Sequence, residues 1–416
     1  MSENFSPSPS HRERTEPDAL SGYASRMTPE TVIELLSQMI SFDTVNEYVS
    51  LRVFPEKALL ESLENIAQKW GLSTERLKIS SSPADEAFNL LITHVANKNA
   101  PWLLFESHAD TVSVEGMTID PFNSVLEDEK IYGRGSSDTK GSGAAMLWAL
   151  RHYAESLNQK NNIGLLFVTD EENSKAGAIA FVDKQLSALT WRPIGIIVGE
   201  ATSCLPVVAH NGCIRWKIRT KGVAAHSSNP SLGKSAINAM AKLLLEFDKL
   251  YTSTVTASHP LTGIAACSVN TISGGSAVNI IPDVCEIEID RRILPSEDSH
   301  KVQDEIKTAL SLISINDPSI VIEFSTPFVD YPLDPKVNHD FSLQISEILE
   351  AASYSGVHRG AAYGTDASTY SEAGIPSIVL GPGSIDQAHT KDEWLEVVEL
   401  EKAVIIYGDI MKHGFR

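Results

Sequence analysis

The chain has 416 residues, 42% of them hydrophobic, which is enough for two domains with separate cores. Its formal net charge of -20 disfavours non-specific binding to nucleic acid or to anionic membranes. The 4 cysteines have no C-x-x-C spacing, which favours reduced thiols in a cytoplasmic protein. No apolar run reaches the roughly 18 residues that a membrane helix needs, and the first residues have no apolar core typical of a signal peptide.

The N-terminal part of the chain changes character near residue 27. Residues 1–26 are rich in Ser, Pro and charged side chains, so we expect a disordered extension. Thr28 followed by Pro29 predicts the N-cap of a first helix that runs to about Ile40. A second helix is predicted from Pro55 to Gly71, where the glycine suits a helix end.

Short apolar runs, typical of buried parallel strands, precede polar residues at three places. The runs cover 102–105, 163–168 and 194–198, and they precede His108, the pair Glu171 and Glu172, and Glu200. Because strand ends converge on one crevice in an open α/β sheet, we expect these side chains in one site. Asp138 lies in a Gly/Ser loop before the helical pattern 144–157, which predicts a place on the same rim.

The pattern changes again after residue 208. The predicted elements follow the order β-α-β-β-α-β of a ferredoxin-like unit. They cover 214–218, 235–251, 266–272, 284–291, 299–313 and 320–324. We therefore predict an α/β protein in which 27–208 and 327–416 form one domain, with 209–326 inserted into it. A strand at 377–380 would return the chain to the first sheet, ahead of His389.

The candidate ligands combine imidazole and carboxylate groups. They are His108, Asp138, Glu172 or its neighbour Glu171, Glu200 and His389. This nitrogen and oxygen set suits zinc, with cobalt or manganese as alternatives. It has too many carboxylates for one tetrahedral site, whereas two metals sharing a carboxylate and a water would use all of them. One of the two adjacent glutamates can then bind metal while the other accepts the proton of the water.

Several motifs together resemble one enzyme family. They are Ser107-His108-Ala109-Asp110, Gly133-Arg134-Gly135, Asp138-Thr139-Lys140-Gly141, Thr169-Asp170-Glu171-Glu172 and Ala388-His389-Thr390. In this order they resemble the dinuclear zinc aminoacyl hydrolases, which include acetylornithine deacetylase, succinyl-diaminopimelate desuccinylase, aminoacylase and glutamate carboxypeptidase. The resemblance implies that 27–208 and 327–416 form a catalytic domain with a zinc-exopeptidase-like mixed sheet sandwiched by helices. It also implies that the inserted domain serves dimerisation.

The resemblance also implies a role for each site residue. His108 and Glu200 would hold one metal, Glu172 and His389 the other, and Asp138 would bridge. Glu171 would be the general base that activates the bridging water. Asp110 would lie behind His108 and fix its ring, as carboxylates behind metal ligands do.

Further matches lie in the inserted segment. His226 resembles the family histidine that helps to hold the substrate carbonyl oxygen. Asn279 and Arg292 would meet the substrate, with Arg292 binding its carboxylate. Strand geometry sends Arg291 and Arg292 to opposite faces, so only one of them can face the cleft. A two-fold homodimer would carry the loop around His226 toward the partner's cleft.

Residues 364–368 and 381–389 look most like acetylornithine deacetylase, although Asp366 stands where relatives often have Glu. The implied function is removal of an acyl group from an N-acyl amino acid in the cytoplasm, without a nucleic-acid or membrane partner. One alternative is a dipeptidase or carboxypeptidase of the same family. Another is an inactive metal-binding scaffold, but the presence of Glu171 favours an enzyme, because a metal store needs no base.

Overall fold

The structure is a computed structural model that describes residues 28–79 and 86–415, so the predicted extension 1–26 lies outside the described residues. The strands are β1 (Ser73–Lys78), β2 (Phe88–His94), β3 (Trp102–His108), β4 (Val125–Glu127), β5 (Lys130–Tyr132), β6 (Asn162–Val168), β7 (Pro193–Val198), β8 (Val207–His210), β9 (Gly212–Lys221), β10 (Ala225–His226), β11 (Ser258–His259), β12 (Gly263–Ile264), β13 (Ala266–Gly274), β14 (Ile280–Ile281), β15 (Val284–Ile293), β16 (Val321–Phe324), β17 (Phe328–Asp330), β18 (Arg359–Ala361), β19 (Ser377–Val379) and β20 (Trp394–Glu396).

The α-helices in the described part of the chain are α1 (Val32–Ile40), α2 (Glu47–Ser50), α3 (Lys57–Lys69), α4 (Lys140–Glu155), α5 (Ala176–Ala180), α6 (Leu186–Ala188), α7 (Ala236–Leu250), α8 (Ser299–Asn316), α9 (His339–Ala351), α10 (Ala367–Glu372) and α11 (Val397–Lys412). A π-helical turn, Phe181–Gln185, joins α5 to α6. No described helix is long and apolar enough to cross a membrane.

The main sheet has 8 strands in the order β1-β2-β6-β3-β7-β19-β8-β18. Its centre is parallel, because β3 pairs in parallel with β6 and β7, and β19 pairs in parallel with β7. At one side of the sheet, β2 pairs antiparallel with both β6 and the edge strand β1, which makes the sheet mixed. The predicted parallel strands and the return of the C-terminal segment to this sheet are thus present. The carboxyl ends of β3, β6 and β7 all lie at one edge of the sheet, as expected for a site of this kind.

Both faces of the main sheet are covered by buried apolar side chains. Along β3, Leu103 and Phe105 pack with α4 residues such as Leu147 on one face. Leu104 packs on the other face with Phe181. Alternating side chains of one strand thus enter two cores, which explains why β3 has a continuous apolar sequence instead of an alternating pattern.

A second sheet has the order β13-β15-β9-β16, and β17 also pairs with β9. This is the strand order of a ferredoxin-like unit, with buried residues of β9 such as Trp216 packed against those of α7 and α8. The predicted boundary at 208 falls within β8 of the main sheet, and β17 follows the predicted boundary at 326. We therefore propose that the inserted unit covers residues 212–330.

Two predicted helix starts are wrong. The first helix begins at Val32, and its N-cap is Thr31, not Thr28, because the Thr31 hydroxyl accepts a hydrogen bond from the Glu34 amide at 3.1 Å. Helix α4 begins at Lys140, four residues before the apolar pattern that predicted it. Its first turn consists of polar and small residues that are buried against the site loops, so periodicity alone underestimates its length.

Candidate functional site

Asp138 lies at the centre of the candidate site. The loop that carries it joins β5 to α4, and its peptide bond to Thr139 is cis. One carboxylate oxygen, Oδ1, lies 3.1 Å from Nε2 of His108, and the other, Oδ2, lies 3.2 Å from Nε2 of His389. The two oxygens of one buried carboxylate therefore face two different imidazoles.

Each imidazole has a second carboxylate beside it. Oε1 of Glu200 lies 3.8 Å from Nε2 of His108, and Oε2 of Glu172 lies 3.1 Å from Nε2 of His389. His108, Glu172 and Glu200 follow or end separate strands of the main sheet, whereas His389 comes from the loop between β19 and β20. The structure thus brings together all five residues that the sequence predicted as metal ligands.

The acidic residues of this cluster are buried, which sets their pKa values. Burial raises the pKa of Glu172 to about 8, and the charge of Asp138 adds to the rise. Burial and the charge of Asp138 likewise raise the pKa of Glu200 well above its usual value. Asp138 differs, because hydrogen bonds from His108 and His389 outweigh its burial and lower its pKa. Asp138 is therefore the group in the cluster that stays ionised most easily.

The carboxylates raise the pKa values of both histidines. Burial lowers the pKa of His108, but hydrogen bonds to Asp110 and Asp138 outweigh it and hold the pKa well above its usual value. Hydrogen bonds to Asp138 and Glu172 raise the pKa of His389 to about 10. The carboxylates therefore attract positive charge into the site. A divalent cation would also balance the charge of the carboxylates, and the imidazoles could then stay neutral and act as ligands.

The loop after β6 carries Glu171 and Glu172 and is held by Asp110. Oδ1 of Asp110 accepts a hydrogen bond from the Glu171 amide at 3.0 Å, and Oδ2 accepts one from the Glu172 amide at 3.1 Å. Nδ1 of His108 lies 3.1 Å from the backbone oxygen of Asp110 and 3.5 Å from its carboxylate. The backbone oxygen and the carboxylate of Asp110 thus both lie beside the His108 ring, and the carboxylate also holds the two amides of the acidic loop.

Glu171 itself is partly buried next to the ligand cluster. Burial raises its pKa to about 7, and the charge of Lys175 opposes the rise. Nζ of Lys175 is held between Oδ1 of Asp330, at 2.8 Å, and the carbonyl oxygen of Thr365, at 2.7 Å. Without bound metal, a pKa near 7 would allow Glu171 both to accept and to return a proton near neutral pH.

The predicted substrate residues lie in the inserted unit, where they contact neighbouring residues of that unit. His226 is exposed on β10, and its Nδ1 lies 2.7 Å from the hydroxyl oxygen of Ser228. Asn279 is also exposed, and its carbonyl oxygen accepts a hydrogen bond from the Ser227 amide. Arg292 is 38% exposed at its side chain and pairs with Asp290 at 2.8 Å, whereas Arg291 is buried. Of the two neighbouring arginines, Arg292 is the one available to a ligand.

Sequence reasoning gave no role to three buried acidic residues whose charges act on residues of the site. Oε1 of Glu56 accepts a hydrogen bond from the Asp170 amide at the start of the acidic loop. Glu106 and Asp366 are buried, and within the described chain their carboxylates have no hydrogen-bond partner. The available signals were a glutamate inside the apolar run of β3 and an acidic residue next to the N-terminus of α10.

The donors present fit a metal ion. His108, Asp138 and Glu172 each offer a ligand atom within 4.8 Å of the others. Imidazole nitrogens with carboxylate oxygens are ligands that zinc and related divalent ions accept. Because the two oxygens of Asp138 face different histidines, the donor set divides into two halves that share one carboxylate.

The chain is similar to known proteins in sequence and in fold. The model of peptidase family M20/M25/M40 matches residues 104–413. Acetylornithine deacetylase of Klebsiella pneumoniae (strain 342) is 32% identical over 369 residues, which cover 85% of this chain and 91% of that protein. Acetylornithine deacetylase of Proteus mirabilis (strain HI4320) is 30% identical, covering 92% and 96%. The structure of aminopeptidase PepT from Bacillus cereus superimposes with a TM-score of 0.71 at 19% identity, covering 92% of this chain and 98% of that one.

The fold and the site, together with these matches, define a metal-dependent hydrolase. More narrowly, the chain belongs to peptidase family M20/M25/M40, because the family model covers most of its length. The resemblance read from the sequence motifs is thereby confirmed, as is the α/β fold class.

Proposed function

We propose that this chain is an amidohydrolase that removes an acyl group from the α-nitrogen of an N-acyl amino acid. The observation that carries the proposal is the position of Asp138, whose two carboxylate oxygens lie 3.1 and 3.2 Å from the imidazole nitrogens of His108 and His389. The similarity to two acetylornithine deacetylases over most of the chain supports this substrate class.

Two divalent ions, zinc first and cobalt or manganese as alternatives, fit this donor set. His108 and Glu200 would hold one ion, Glu172 and His389 the other, and Asp138 both. When bound, the ions would polarise the substrate carbonyl and make water in the site more acidic.

The residues of the chain then move the protons. Glu171 accepts a proton from the attacking water, whose oxygen bonds to the amide carbon. Glu171 returns that proton to the nitrogen as the carbon–nitrogen bond breaks, so the products are a carboxylic acid and a free amine. The Asp110 carboxylate holds Glu171 in place by accepting a hydrogen bond from the Glu171 amide at 3.0 Å.

The inserted unit would contribute substrate contacts and form a homodimer. His226 would donate to the developing oxyanion, and Asn279 and Arg292 would bind the substrate, with Arg292 at its carboxylate. His226 and Asn279 are exposed, and the contacts of all three residues lie within the inserted unit, which supports a role across a dimer. Strand β13 is an edge of its sheet and is largely exposed, so it is available for pairing with a second copy.

The proposal is tested with purified protein, reconstituted with Zn²⁺ or Co²⁺. N-acetylornithine and other N-acyl amino acids are compared with dipeptides and tripeptides by kcat/KM, with Glu171→Gln as the inactive control. Preference for N-acyl amino acids supports the proposal. Preference for peptides would replace it with the peptidase alternative.

The free thiols of Cys204, Cys213, Cys267 and Cys285 support a cytoplasmic location.

A further inference from the structure

A buried carboxylate outside the predicted ligand set organises the loop that carries Asp138. Glu393 lies shortly after His389 and has a relative exposure of 0%. Its Oε2 accepts hydrogen bonds from Nη1 of Arg134 at 2.7 Å and from the Gly135 amide at 3.0 Å. Its Oε1 accepts from the amides of Ser137 at 2.8 Å and Asp138 at 2.9 Å. One side chain therefore binds the loop on both sides of its turn.

Arg134 connects the same pair to two further loops. Its Nη2 donates to the carbonyl oxygens of Ser113 at 2.9 Å and Thr390 at 3.2 Å. Ser113 follows β3, and Thr390 is adjacent to His389. The loop after β3, the Asp138 loop and the His389 loop are thus joined through one buried guanidinium and one buried carboxylate.

The Asp138 loop depends on this contact for its shape. The amides of Gly135, Ser137 and Asp138 all point at the Glu393 carboxylate. Gly135 has a φ of +84°, which suits a sharp turn of the backbone. This turn directs the Gly135 amide to Oε2 of Glu393 and the amides of Ser137 and Asp138 to Oε1. Hydrogen bonds to a charged acceptor are stronger than neutral ones, which suits a turn that must hold one geometry.

We propose that Glu393 is a positioning residue for the metal centre. Glu393 sets the distance between the Asp138 carboxylate and the His389 imidazole. This inference rests on the proposed metal site. It extends that site to a residue that binds no metal, because Glu393 contacts the backbone of one ligand and belongs to the loop that carries another. Residues behind metal ligands commonly change metal affinity about 10- to 100-fold when they are replaced.

The sharpest variant is Glu393→Gln, which keeps the size of the side chain. Its amide nitrogen cannot accept, so one pair of donors, either Arg134 with Gly135 or Ser137 with Asp138, would face another donor. Glu393→Asp keeps the charge but shortens the reach. Arg134→Lys keeps the charge of Arg134 and removes its forked contacts to Ser113 and Thr390.

A matched control exists in the second sheet. Glu297 also accepts hydrogen bonds from an arginine, Arg291 at 2.6 Å, and from a backbone amide, that of Leu294 at 2.8 Å. Glu297→Gln makes the same chemical change at a partly buried pair in the inserted unit. It reports the effect of losing such a contact on stability alone.

The experiment measures Zn²⁺ affinity by calorimetry and the visible absorption spectrum of the Co²⁺ form, at a temperature where each metal-free variant is folded. Glu393→Gln should weaken binding of at least one ion by about 10-fold or more and alter the Co²⁺ spectrum. Glu297→Gln should lower the thermal midpoint but leave affinity and spectrum as in the native protein.

Native affinity and spectrum in Glu393→Gln would overturn the inference. If that variant does not fold, Glu393→Asp and Arg134→Lys decide by the same two measurements. In both, unchanged binding contradicts the inference and weaker binding with an altered spectrum supports it. If the native protein itself binds no ion, the proposed metal site fails, and the inference fails with it.

Discussion

Oδ1 of Asp110 lies 3.0 Å from the backbone nitrogen of Glu171 and accepts its hydrogen bond. Asp110 follows β3, and Glu171 follows the neighbouring parallel strand β6, so the bond joins the loops at two strand ends. The same carboxylate holds the Glu172 amide. A single buried side chain thus fixes both the proposed base and a proposed metal ligand.

Asp110→Asn should therefore reduce kcat about 10- to 100-fold, as is typical when a group behind a metal site is replaced. The asparagine nitrogen cannot accept from an amide, so one of the two glutamates loses its support. Asp298→Asn is the control, because Asp298 also accepts from two amides, those of His300 and Lys301, at the start of α8. Equal losses of kcat in both variants would contradict a specific role for Asp110.

Replacing Glu171 and replacing Glu172 should have different effects on metal content and on kcat. Glu171→Gln should retain its metal but lose at least about 100-fold in kcat, the usual contribution of a general base. Glu172→Gln should lose metal, since its carboxylate lies 3.1 Å from His389 in the ligand cluster. Metal analysis of both dialysed variants checks this. Loss of metal from the Glu171 variant, with retention in the Glu172 variant, would exchange the two assignments.

Glu56 should make the metal-free protein less stable as the pH rises. Burial raises its pKa from 4.5 to about 8, and the charge of Asp110 contributes to the rise. Between these values the unfolded chain has released the proton while the folded protein still holds it. Stability conferred by the neutral acid is therefore largest at low pH and falls as the pH rises through this window.

Glu56→Gln removes this dependence and can still accept from the Asp170 amide. Because one pKa unit corresponds to about 1.4 kcal/mol and almost the whole interval lies between the two pKa values, the variant should gain on the order of 3 kcal/mol relative to the native protein between pH 5 and pH 8. Urea unfolding at the two pH values measures the difference. Glu75→Gln, on an exposed position of β1, is the control. A native-minus-variant difference that does not change with pH would rule out the effect.

His226 should act in the partner's site if the homodimer forms. Chains inactivated by Glu171→Ala and by His226→Ala are co-expressed, and heterodimers are isolated with two affinity tags. Each heterodimer would contain one site with both residues intact, so activity should return to as much as about half that of the native dimer, given independent identical sites. Inactive heterodimers would show that His226 acts within its own chain or that the dimer is different.

The proximity of the proposed ligands can be predicted from the sequence because strand ends define where side chains meet. His108, Glu172 and Glu200 are placed by neighbouring strands of one sheet, so local apolar runs suffice to locate them. The supporting residues are different. Glu393 contacts Asp138 across 255 positions, and Glu56 contacts Asp170 across 114. Nothing in the local pattern around these glutamates distinguishes them from surface residues, because their partners are defined only by the folded chain.

The edges of the inserted unit show the same limit of local patterns. Strand β17 has only 3 residues, so its sequence did not indicate which sheet it joins. Its pairing with β9 is set by the length of β9, which extends far enough to hold both β16 and β17 on one side. The alternating burial along β9 could be predicted from its sequence, whereas the partner of the short strand β17 could not.

The most direct measurement is a metal titration of the native protein, Asp138→Ala and His108→Ala, followed by calorimetry and elemental analysis. A carboxylate that serves two ions affects both when it is lost, whereas each histidine serves one. The native protein should therefore bind two ions per chain, His108→Ala should keep one, and Asp138→Ala should lose more than His108→Ala. A single ion in the native chain, or retention in Asp138→Ala equal to that in His108→Ala, would contradict the shared carboxylate.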